Sequence, residues 1–343
     1  MAPCYPSVKT IALVVMSGVQ LLDVAGPSDV FACANKLLAA DSEGTCQPYH
    51  IVLLTATDSQ HVTTNAGITL LGTAGIRQWH APVDTLLVAG SPLATVEVLP
   101  AEFFAWLRAK AGSVRRMGSV CAGAFALAKA GILAGRRATT HWALCTHLQA
   151  QYPAVQVEHA PFFVRDGHIY TSGGVTSGMD LALALVEEDH GHSLALRVAQ
   201  QLVLHLRRTG NQAQFHTLWP EIGDAPLLSS LRPWLATHLH AAISVERMAE
   251  QVHMSPRNFA RVFVKATGLT PARYVEKLRL GAARHYLEET SLGLDQVAAA
   301  CGLGTAVTLR RVFLKELQLS PRRYRASFQT ATPVPDLAVP TGG

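Results

Sequence analysis

The sequence predicts two domains, an α/β domain built on a doubly wound parallel sheet and, after it, an all-α domain. Three observations lead to this prediction. The chain has 343 residues, about twice a typical domain. In its first part, short apolar runs rich in β-branched residues alternate with helical patterns, as expected when helices cover both faces of a parallel sheet. In its last part, helical patterns recur without strands and form an internal repeat.

The composition excludes a disordered chain and argues against a membrane protein. Hydrophobic residues make up 49% and charged residues 15% of the sequence, so the chain can bury a core. The longest weakly charged stretch, Gly118–Gly135, carries Lys129 and several glycines and is too short and interrupted to cross a bilayer. No secretory leader pattern is present, and the six cysteines are scattered without a C-x-x-C pair. We therefore expect a cytoplasmic protein with reduced thiols and no membrane association.

Charge is distributed unevenly along the chain. Residues 1–224 contain 14 basic and 16 acidic residues, whereas residues 225–331 contain 15 basic and seven acidic residues, a net charge of +8. This asymmetry favours a near-neutral body that handles a small molecule and a basic arm that handles an anion such as nucleic acid. A solvated basic surface without a partner is the alternative.

The apolar and amphipathic runs place the elements of the first domain. Strands are predicted at Thr10–Met16, Tyr49–Thr55, Thr85–Ala89, Ser113–Val120 and His168–Ser172. Helices are predicted around Gly26–Phe31 and at Pro100–Lys110, Ala122–Ala130, Met179–Glu188 and Ser193–Arg208. The predicted boundaries are a first domain at 1–210, an aperiodic linker at 211–225, a second domain at 226–331 and a disordered tail rich in Pro and Gly at 332–343.

The second domain contains a repeat with an offset of 50 residues. Ser255–Tyr274 aligns with Thr305–Tyr324, and a short helix precedes each copy, at Val245–Val252 and Asp295–Cys301. The pattern therefore predicts a helix, a tight turn and a second helix in each copy. It also predicts an amphipathic helix at Arg273–Glu288 that bridges the two copies. The predicted core positions of the second helices are Phe259, Val262 and Phe263 in the first copy and Leu309, Val312 and Phe313 in the second.

The opposite face of each second helix is polar and basic. Ser255 and Thr305 are suited to cap these helices. A capped helix of this kind fits the major groove of DNA, although a helical bundle with a charged exterior remains the alternative. The candidate DNA-binding residues are Arg257, Asn258, Arg261, Val307, Thr308, Arg310 and Arg311.

These residues carry a resemblance to a known family. Ile243–Phe328 resembles the tandem helix-turn-helix domain of AraC/XylS-type transcription regulators, most specifically over Gly302–Arg325. The resemblance implies two recognition helices that enter successive major-groove segments of promoter DNA about 34 Å apart. Ala306 and Val307 replace a pair that is often polar in the family, so we expect the second helix to contact thymine methyl groups.

The candidate chemistry of the first domain centres on Cys121. It follows an apolar strand and precedes small residues that lead into a helix, which is the arrangement of a nucleophile elbow. A helix N-terminus would favour the thiolate, with His141 as a possible base and Asp23, expected in the loop after the first strand, as a possible carboxylate partner. The alternative is a buried, inert cysteine.

The first domain carries a second resemblance. Lys9–Arg208 resembles the PfpI-type class I glutamine amidotransferase-like fold, as fused to AraC domains in GlxA-like regulators, on the segments Leu21–Phe31, Ser119–Trp142 and Gly173–Glu187. The resemblance implies a flavodoxin-like sheet, a homodimer formed through this domain and a ligand pocket. The expected pocket residues are Asp23, Pro27, Gly90, Cys121, Ala122, His141 and Trp142.

The two resemblances together predict a regulator. Enzymatic members of the PfpI group generally have His directly after the nucleophile, and here Ala122 occupies that position, so no catalysis is expected. We therefore predict a transcription regulator that binds promoter DNA and a small metabolite, with amino-acid and amine derivatives as the candidate effectors. A cysteine-dependent hydrolase or deglycase that carries a DNA-binding arm is the alternative.

Weaker motifs give no further function. The pairs His190-x-His192 and His238-x-His240 lack additional ligands nearby in sequence, so no metal site is predicted. No phosphate-binding loop pattern is present, and we expect no cofactor. Gly173 and Gly174 precede a helix and fit either an anion seat or a tight turn.

Overall fold

A computed structural model describes residues 8–42, 47–206, 212 and 226–328. The chain divides into two compact units, Met1–Ala213 and Gln214–Gly343, and each is described by itself. Except for Gln212, the predicted linker at 211–225 lies outside the described residues, as does the predicted tail at 332–343.

The first unit contains a seven-stranded sheet that runs parallel except at one edge. Its strands are β1 (Lys9–Val15), β2 (Tyr49–Thr55), β5 (Ala74–Gly75), β6 (Thr85–Val88), β7 (Arg116–Val120), β10 (Phe163–Asp166) and β11 (Ile169–Ser172). Two separate two-stranded sheets pair β3 (His61–Thr63) with β4 (Thr69–Leu71) and β8 (Arg137–Ala138) with β9 (Gln156–Val157). The order in the sheet is β10-β11-β7-β6-β1-β2-β5, and β10 alone pairs antiparallel in it. The order reverses at β1, which is the pattern of a doubly wound sheet.

Helices cover both faces of this sheet. The helices of this unit are α1 (Leu21–Asp41), α2 (Leu93–Glu97), α3 (Ala101–Ala111), α4 (Gly123–Lys129), α5 (Cys145–Gln151), α6 (Thr176–His190) and α7 (His192–Gln201). Along β1, Ile11 and Leu13 enter one apolar layer and Ala12 and Val14 enter the other, because successive strand residues point to opposite faces. The predicted fold class is confirmed, whereas the helix predicted over Ser193–Arg208 already ends at Gln201.

A buried ion cluster connects the sheet to α6. Arg116 is only 3% exposed, and its guanidinium donates to Asp189 at 2.9 Å and to Glu188 at 2.9 Å. The Tyr49 hydroxyl also donates to Asp189, at 3.0 Å. These partners compensate a charge that would otherwise be costly to bury, and they join β2 and β7 to the C-terminal end of α6.

The second unit is entirely helical in its described part. Its helices are α8 (Pro226–His238), α9 (Val245–Gln251), α10 (Pro256–Thr267), α11 (Pro271–Glu289), α12 (Leu294–Ala300), α13 (Ala306–Leu317) and α14 (Pro321–Phe328). The two predicted copies correspond to α9 with α10 and α12 with α13, and α11 bridges them. None of the helices in the described ranges is long and apolar enough to cross a membrane.

The predicted core of the repeat is observed with one exception. Phe259, Phe263, Leu309 and Phe313 are fully buried and Val312 nearly so. Val262, which the pattern also assigned to the core, is only half-buried. The prediction was wrong there because the apolar stripe of α10 is narrower than that of α13.

Both predicted helix caps are present in the second unit. The Ser255 hydroxyl accepts the N–H of Asn258 at 3.4 Å, and the Thr305 hydroxyl accepts the N–H of Thr308 at 3.3 Å. These contacts satisfy backbone donors that have no partner within the helix and fix where α10 and α13 begin.

Candidate functional site

The carboxyl ends of three neighbouring strands bring predicted pocket residues together. Asp23 follows β1, Gly90 follows β6 and Cys121 follows β7. These strands flank the point at which the strand order reverses, where open α/β sheets bind ligands. A Cβ atom placed on Gly90 would lie 2.5 Å from Asp23 Oδ2 and 2.7 Å from Cys121 Cβ, so the three residues are in close contact.

Cys121 occupies a strained turn between β7 and α4. Its φ of 56° lies in the left-handed region, which residues with a side chain rarely adopt. The Cys121 N–H donates to the carbonyl of Ser172 at 3.0 Å, and the Cys121 carbonyl accepts the Thr140 hydroxyl at 2.8 Å. The strand, turn and helix therefore form the predicted elbow, and backbone contacts hold it in this conformation.

Asp23 is the acidic residue of this site. It is fully buried in the first turn of α1, so its expected position in a loop was wrong. Asp23 Oδ1 accepts the Val175 N–H at 2.6 Å, and Oδ2 accepts the Gly90 N–H at 3.2 Å. Burial raises the pKa of Asp23 from its usual 3.8 to about 6, although these hydrogen bonds and one from the Cys121 thiol act in the opposite direction.

The Cys121 thiol is not activated in this environment. Burial and the neighbouring Asp23 carboxylate both raise the pKa of Cys121 far above its usual value, and they outweigh the hydrogen bond from the Ala122 N–H that lowers it. The N–H at the start of α4 favours the thiolate as predicted, but burial and Asp23, which the prediction did not weigh, reverse the net effect. Both burial and Asp23 favour the protonated thiol over the thiolate.

His141 is held by its own turn. Its Nδ1 accepts the N–H of Ala143 at 3.3 Å, which caps a short 3₁₀ helix at Trp142–Leu144, and its ring lies 5.2 Å from the ring of Trp142. Burial lowers the pKa of His141, so it is neutral at physiological pH. Among the described residues, the ionisable side chain that contacts the thiol is Asp23 rather than His141.

The remaining predicted pocket residues are buried. Pro27 lies inside α1 and packs against α6, since a Cβ atom on Gly178 would lie 3.3 Å from Pro27 Cγ. Ala122 is 6% exposed at the start of α4. Pro27 therefore has a packing contact in this structure, whereas Ala122 contributes a backbone N–H to the thiol.

The turn before α6 closes the site from the other side, and sequence reasoning missed its role. Gly174 has a φ of 83°, and a Cβ atom there would lie 2.1 Å from Cys121 Cβ, so only glycine fits. The next residue, Val175, has a φ of 51°, which is unusual for a β-branched side chain. The Gly173–Gly174 motif thus forms a tight turn against Cys121, and its alternative as an anion seat stays a prediction.

Gln212, inside the predicted linker, belongs to the same site. It is 3% exposed, and its Nε2 donates to the Pro161 carbonyl at 2.7 Å and to the Thr139 hydroxyl at 3.2 Å. A Cβ atom on Gly173 would lie 2.1 Å from Gln212 Oε1. No sequence pattern indicated this contact, because a polar residue in an aperiodic segment is usually solvated.

The first recognition surface lies on α10. Arg257, Asn258 and Arg261 are all exposed, as predicted. Arg261 donates to the Asn258 side-chain oxygen at 2.9 Å, one helical turn away. Asn258 therefore orients the guanidinium along the exposed face of α10.

The second recognition surface lies on α13. Arg310 and Arg311 are exposed, and Val307 is 79% exposed, which is unusual for an aliphatic side chain. Thr308 is half-buried, and its hydroxyl lies 3.2 Å from that of Thr305 within the helix cap. Thr308 thus belongs to the cap as well as to the predicted surface.

Two exposed aliphatic side chains also lie on these faces and were not predicted. Val264 is 41% exposed and Leu314 is 46% exposed, and they occupy equivalent positions in the two copies. Each lies three residues after an exposed arginine, Arg261 or Arg311. The sequence signal that could have identified them is an aliphatic residue on the predicted polar face that recurs at the offset of 50 residues.

No cluster of three or more His, Cys, Asp or Glu side chains suited to a metal ion occurs in the described part of the chain. His190 ends α6 and His192 begins α7, so the two rings of this pair lie on different helices.

Comparison with known proteins shows the family of both units. Residues 9–188 match the DJ-1/PfpI family, and residues 248–327 match a family described as a helix-turn-helix domain. The chain belongs to the DJ-1/PfpI family. It combines this family's domain with an AraC-type helix-turn-helix region, so the predicted pairing is confirmed.

Individual relatives of this DJ-1/PfpI protein include regulators and an enzyme. The HTH-type transcriptional regulator GbdR of Pseudomonas aeruginosa is 27% identical over 333 residues, which cover 97% of this chain and 88% of the relative. The HTH-type transcriptional regulator CdhR of Pseudomonas aeruginosa is 31% identical over 240 residues, which cover 69% of this chain and 70% of the relative. Isonitrile hydratase from Pseudomonas putida is 35% identical over 185 residues, which cover 54% of this chain and 73% of the relative.

Proposed function

We propose that this DNA-binding transcription regulator responds to a small molecule that binds beside Cys121 and is not turned over. The observation that carries the proposal is that the buried Asp23 carboxylate and Cys121 meet against Gly90, so that the group beside the thiol is an acid rather than a base or cation. A nucleophilic cysteine needs a base or cation that lowers its pKa, and here the nearest ionisable group raises it. The residues at the switch point therefore suit recognition of a ligand rather than its covalent conversion.

The ligand-binding part of the proposal is tested by thermal shift. A metabolite at 100 times its dissociation constant should stabilise the folded protein by about 2.7 kcal/mol. Small amino-acid and amine derivatives are the first compounds to screen, because the sequence analysis predicts an effector of this class. Cys121→Ser should weaken the response to an active compound and leave DNA affinity without that compound unchanged. Equal stabilisation of wild type and Cys121→Ser would place the effector elsewhere.

The DNA-binding part assigns base or phosphate contacts to exposed residues of α10 and α13. Arg261 is the strongest candidate because Asn258 orients it. If Arg261 contacts a base edge, Arg261→Ala should cost about 1 to 3 kcal/mol of affinity for duplexes selected from a random pool. Arg108→Ala removes an exposed arginine of α3 and serves as the control. Wild-type affinity and unchanged sequence preference in Arg261→Ala would contradict the assignment.

The assembly and the compartment are part of the same proposal. We infer a cytoplasmic homodimer formed through the DJ-1/PfpI unit, because two linked DNA-binding units on adjacent sites gain affinity through effective concentration. Light scattering measures the mass directly. A mass equal to one chain of 36.8 kDa, with and without DNA, would contradict the dimer.

A cysteine-dependent enzyme is the second candidate function. Asp23, with a pKa of about 6, could exchange a proton with a bound molecule near neutral pH, and the similarity to an isonitrile hydratase covers this unit. The test is hydrolysis or hydration of isonitrile, amide, peptide and glyoxal-type compounds by wild type against Cys121→Ala. We expect no difference. Turnover that disappears in Cys121→Ala would establish the enzyme and overturn the regulator-only proposal.

A further inference from the structure

A cleft of about 420 Å³ lies beside the second recognition helix. It lies between the first turns of α13 and α14, and its walls include Leu294, Ala306, Val307, Arg310, Pro321 and Arg322. Ser320 also lines the cleft, and its hydroxyl accepts the N–H of Arg323 at 3.3 Å. Four of the seven side chains are apolar and form the floor, while the two arginines supply positive charge. Val307 and Arg310 were already candidate DNA-binding residues, whereas Arg322 was not assigned to any site by the sequence analysis.

Within the part of the chain that the structure describes, the two arginines of the cleft form no ion pair. None of the ion pairs among residues 226–328 involves Arg310 or Arg322, and both side chains are exposed. Other arginines of the same unit are engaged, since Arg273 pairs with Glu316 at 2.7 Å. Two guanidinium groups on one cleft therefore remain available to an anion.

Among residues 226–328, the neighbouring carboxylate of Asp295 forms no ion pair with either arginine. Asp295 lies next to the cleft, and its Oδ1 accepts the backbone N–H of Ala306 at 3.0 Å. This contact uses the carboxylate to cap α13 and also removes that N–H as an anion donor. Arg310 and Arg322 are therefore the cationic groups that line the cleft and can bind an anion.

The internal repeat supplies a comparison for the arginine pair. At the offset of 50 residues, Ala260 corresponds to Arg310 and Ala272 corresponds to Arg322. Both copies keep the capping hydroxyl and the proline that begin the last helix, at Thr270 and Pro271 and at Ser320 and Pro321. The backbone framework of the cleft is thus shared, whereas the arginine pair occurs only in the second copy.

We propose that Arg310 and Arg322 clamp one backbone phosphate of the bound DNA in this cleft. A guanidinium presents paired donors that match phosphate oxygens, and the apolar floor suits the attached deoxyribose. Val307 lines the cleft and is also the most exposed apolar residue of α13, so the phosphate lies at the edge of the face that reads bases. Arg311, one turn after Val307, then remains for base contacts. This inference rests on the proposed DNA binding.

The salt dependence of DNA binding tests this clamp in the full chain. Each lost phosphate contact reduces the slope of log affinity against log salt concentration by about one, so Arg322→Ala should lower it by about one and Arg310→Ala with Arg322→Ala by about two. The loss should be equal on duplexes of unrelated sequence, because phosphates carry no sequence information. Arg322→Lys should retain most of the slope, since a point charge also binds phosphate.

The control is Arg323→Ala, which removes the adjacent exposed arginine of α14 that does not line the cleft. Its slope should equal that of wild type, and circular dichroism should show the same helix content in every variant. If wild type binds no duplex, the proposed DNA binding fails. If wild type binds and Arg322→Ala keeps its slope, the clamp alone is overturned. A loss confined to particular sequences would identify Arg322 as a base contact and overturn the phosphate assignment.

Discussion

Protonation of Asp23 should make the stability of the first unit depend on pH. Asp23 is fully buried, and its pKa is raised from 3.8 to about 6 in the folded protein. The folded state therefore binds this proton more tightly than the unfolded chain does. The resulting stabilisation is fully present below about pH 4 and is lost as the pH rises through about 6.

The structure gives the expected magnitude. A shift of about two pKa units at 1.36 kcal/mol per unit corresponds to about 3 kcal/mol of unfolding free energy. Asp23→Asn cannot ionise, and its side-chain oxygen can still accept the Val175 N–H. Its amide group would face the Gly90 N–H, where the lost hydrogen bond costs about 1 kcal/mol at every pH. As the pH rises from about 4 through about 6, the unfolding free energy of the variant minus that of wild type should therefore increase by about 3 kcal/mol. The constant loss of about 1 kcal/mol shifts this difference equally at every pH.

Urea denaturation of both proteins across this pH range measures the difference. Asp41→Asn is the control at the other end of α1, where an exposed ion pair with Arg197 lowers the pKa of Asp41. Its difference from wild type should be small and of opposite sign. A difference for Asp23→Asn that stays flat, or that falls as the pH rises, would refute the argument that burial dominates the ionisation of Asp23.

Three further predictions concern the turn that encloses Cys121. Gly174→Ala should destabilise the first unit by about 3 kcal/mol or more, because the added methyl group clashes with Cys121 at a position that already has a positive φ. The control Gly191→Ala has a similar φ of 84° but open space around it, so it should cost only about 1 to 2 kcal/mol. Thermal denaturation measures both. Val175→Gly should raise the melting temperature by relieving a strained φ worth about 1 kcal/mol, and a lower melting temperature would contradict that strain. Gln212→Ala should cost about 1 to 3 kcal/mol, since it leaves buried hydrogen-bonding groups without partners, and unchanged stability in denaturant would show that the contact is unimportant.

Local sequence patterns determined the architecture of both units. The strand at Tyr49–Thr55 was predicted to the residue, and the first helix of each repeat copy was predicted within one residue at each end. The second helices begin directly after the predicted caps at Ser255 and Thr305. Period-two and helical periodicities are local properties, because a side chain's face depends on its neighbours along the chain. The elbow at Cys121 and the caps of α10 and α13 were predictable for the same reason.

Only the tertiary structure decided the chemistry at Cys121. The thiol's pKa depends on its burial and on Asp23, which is 98 positions away in sequence, and Asp23 in turn contacts Val175 and Gly90. The inclusion of Gln212 in the same site also follows from packing against Gly173 rather than from any pattern. Ionisation and burial depend on distances between groups that the sheet brings together, so a sequence that specifies each strand and turn does not by itself specify the charge of the residues between them.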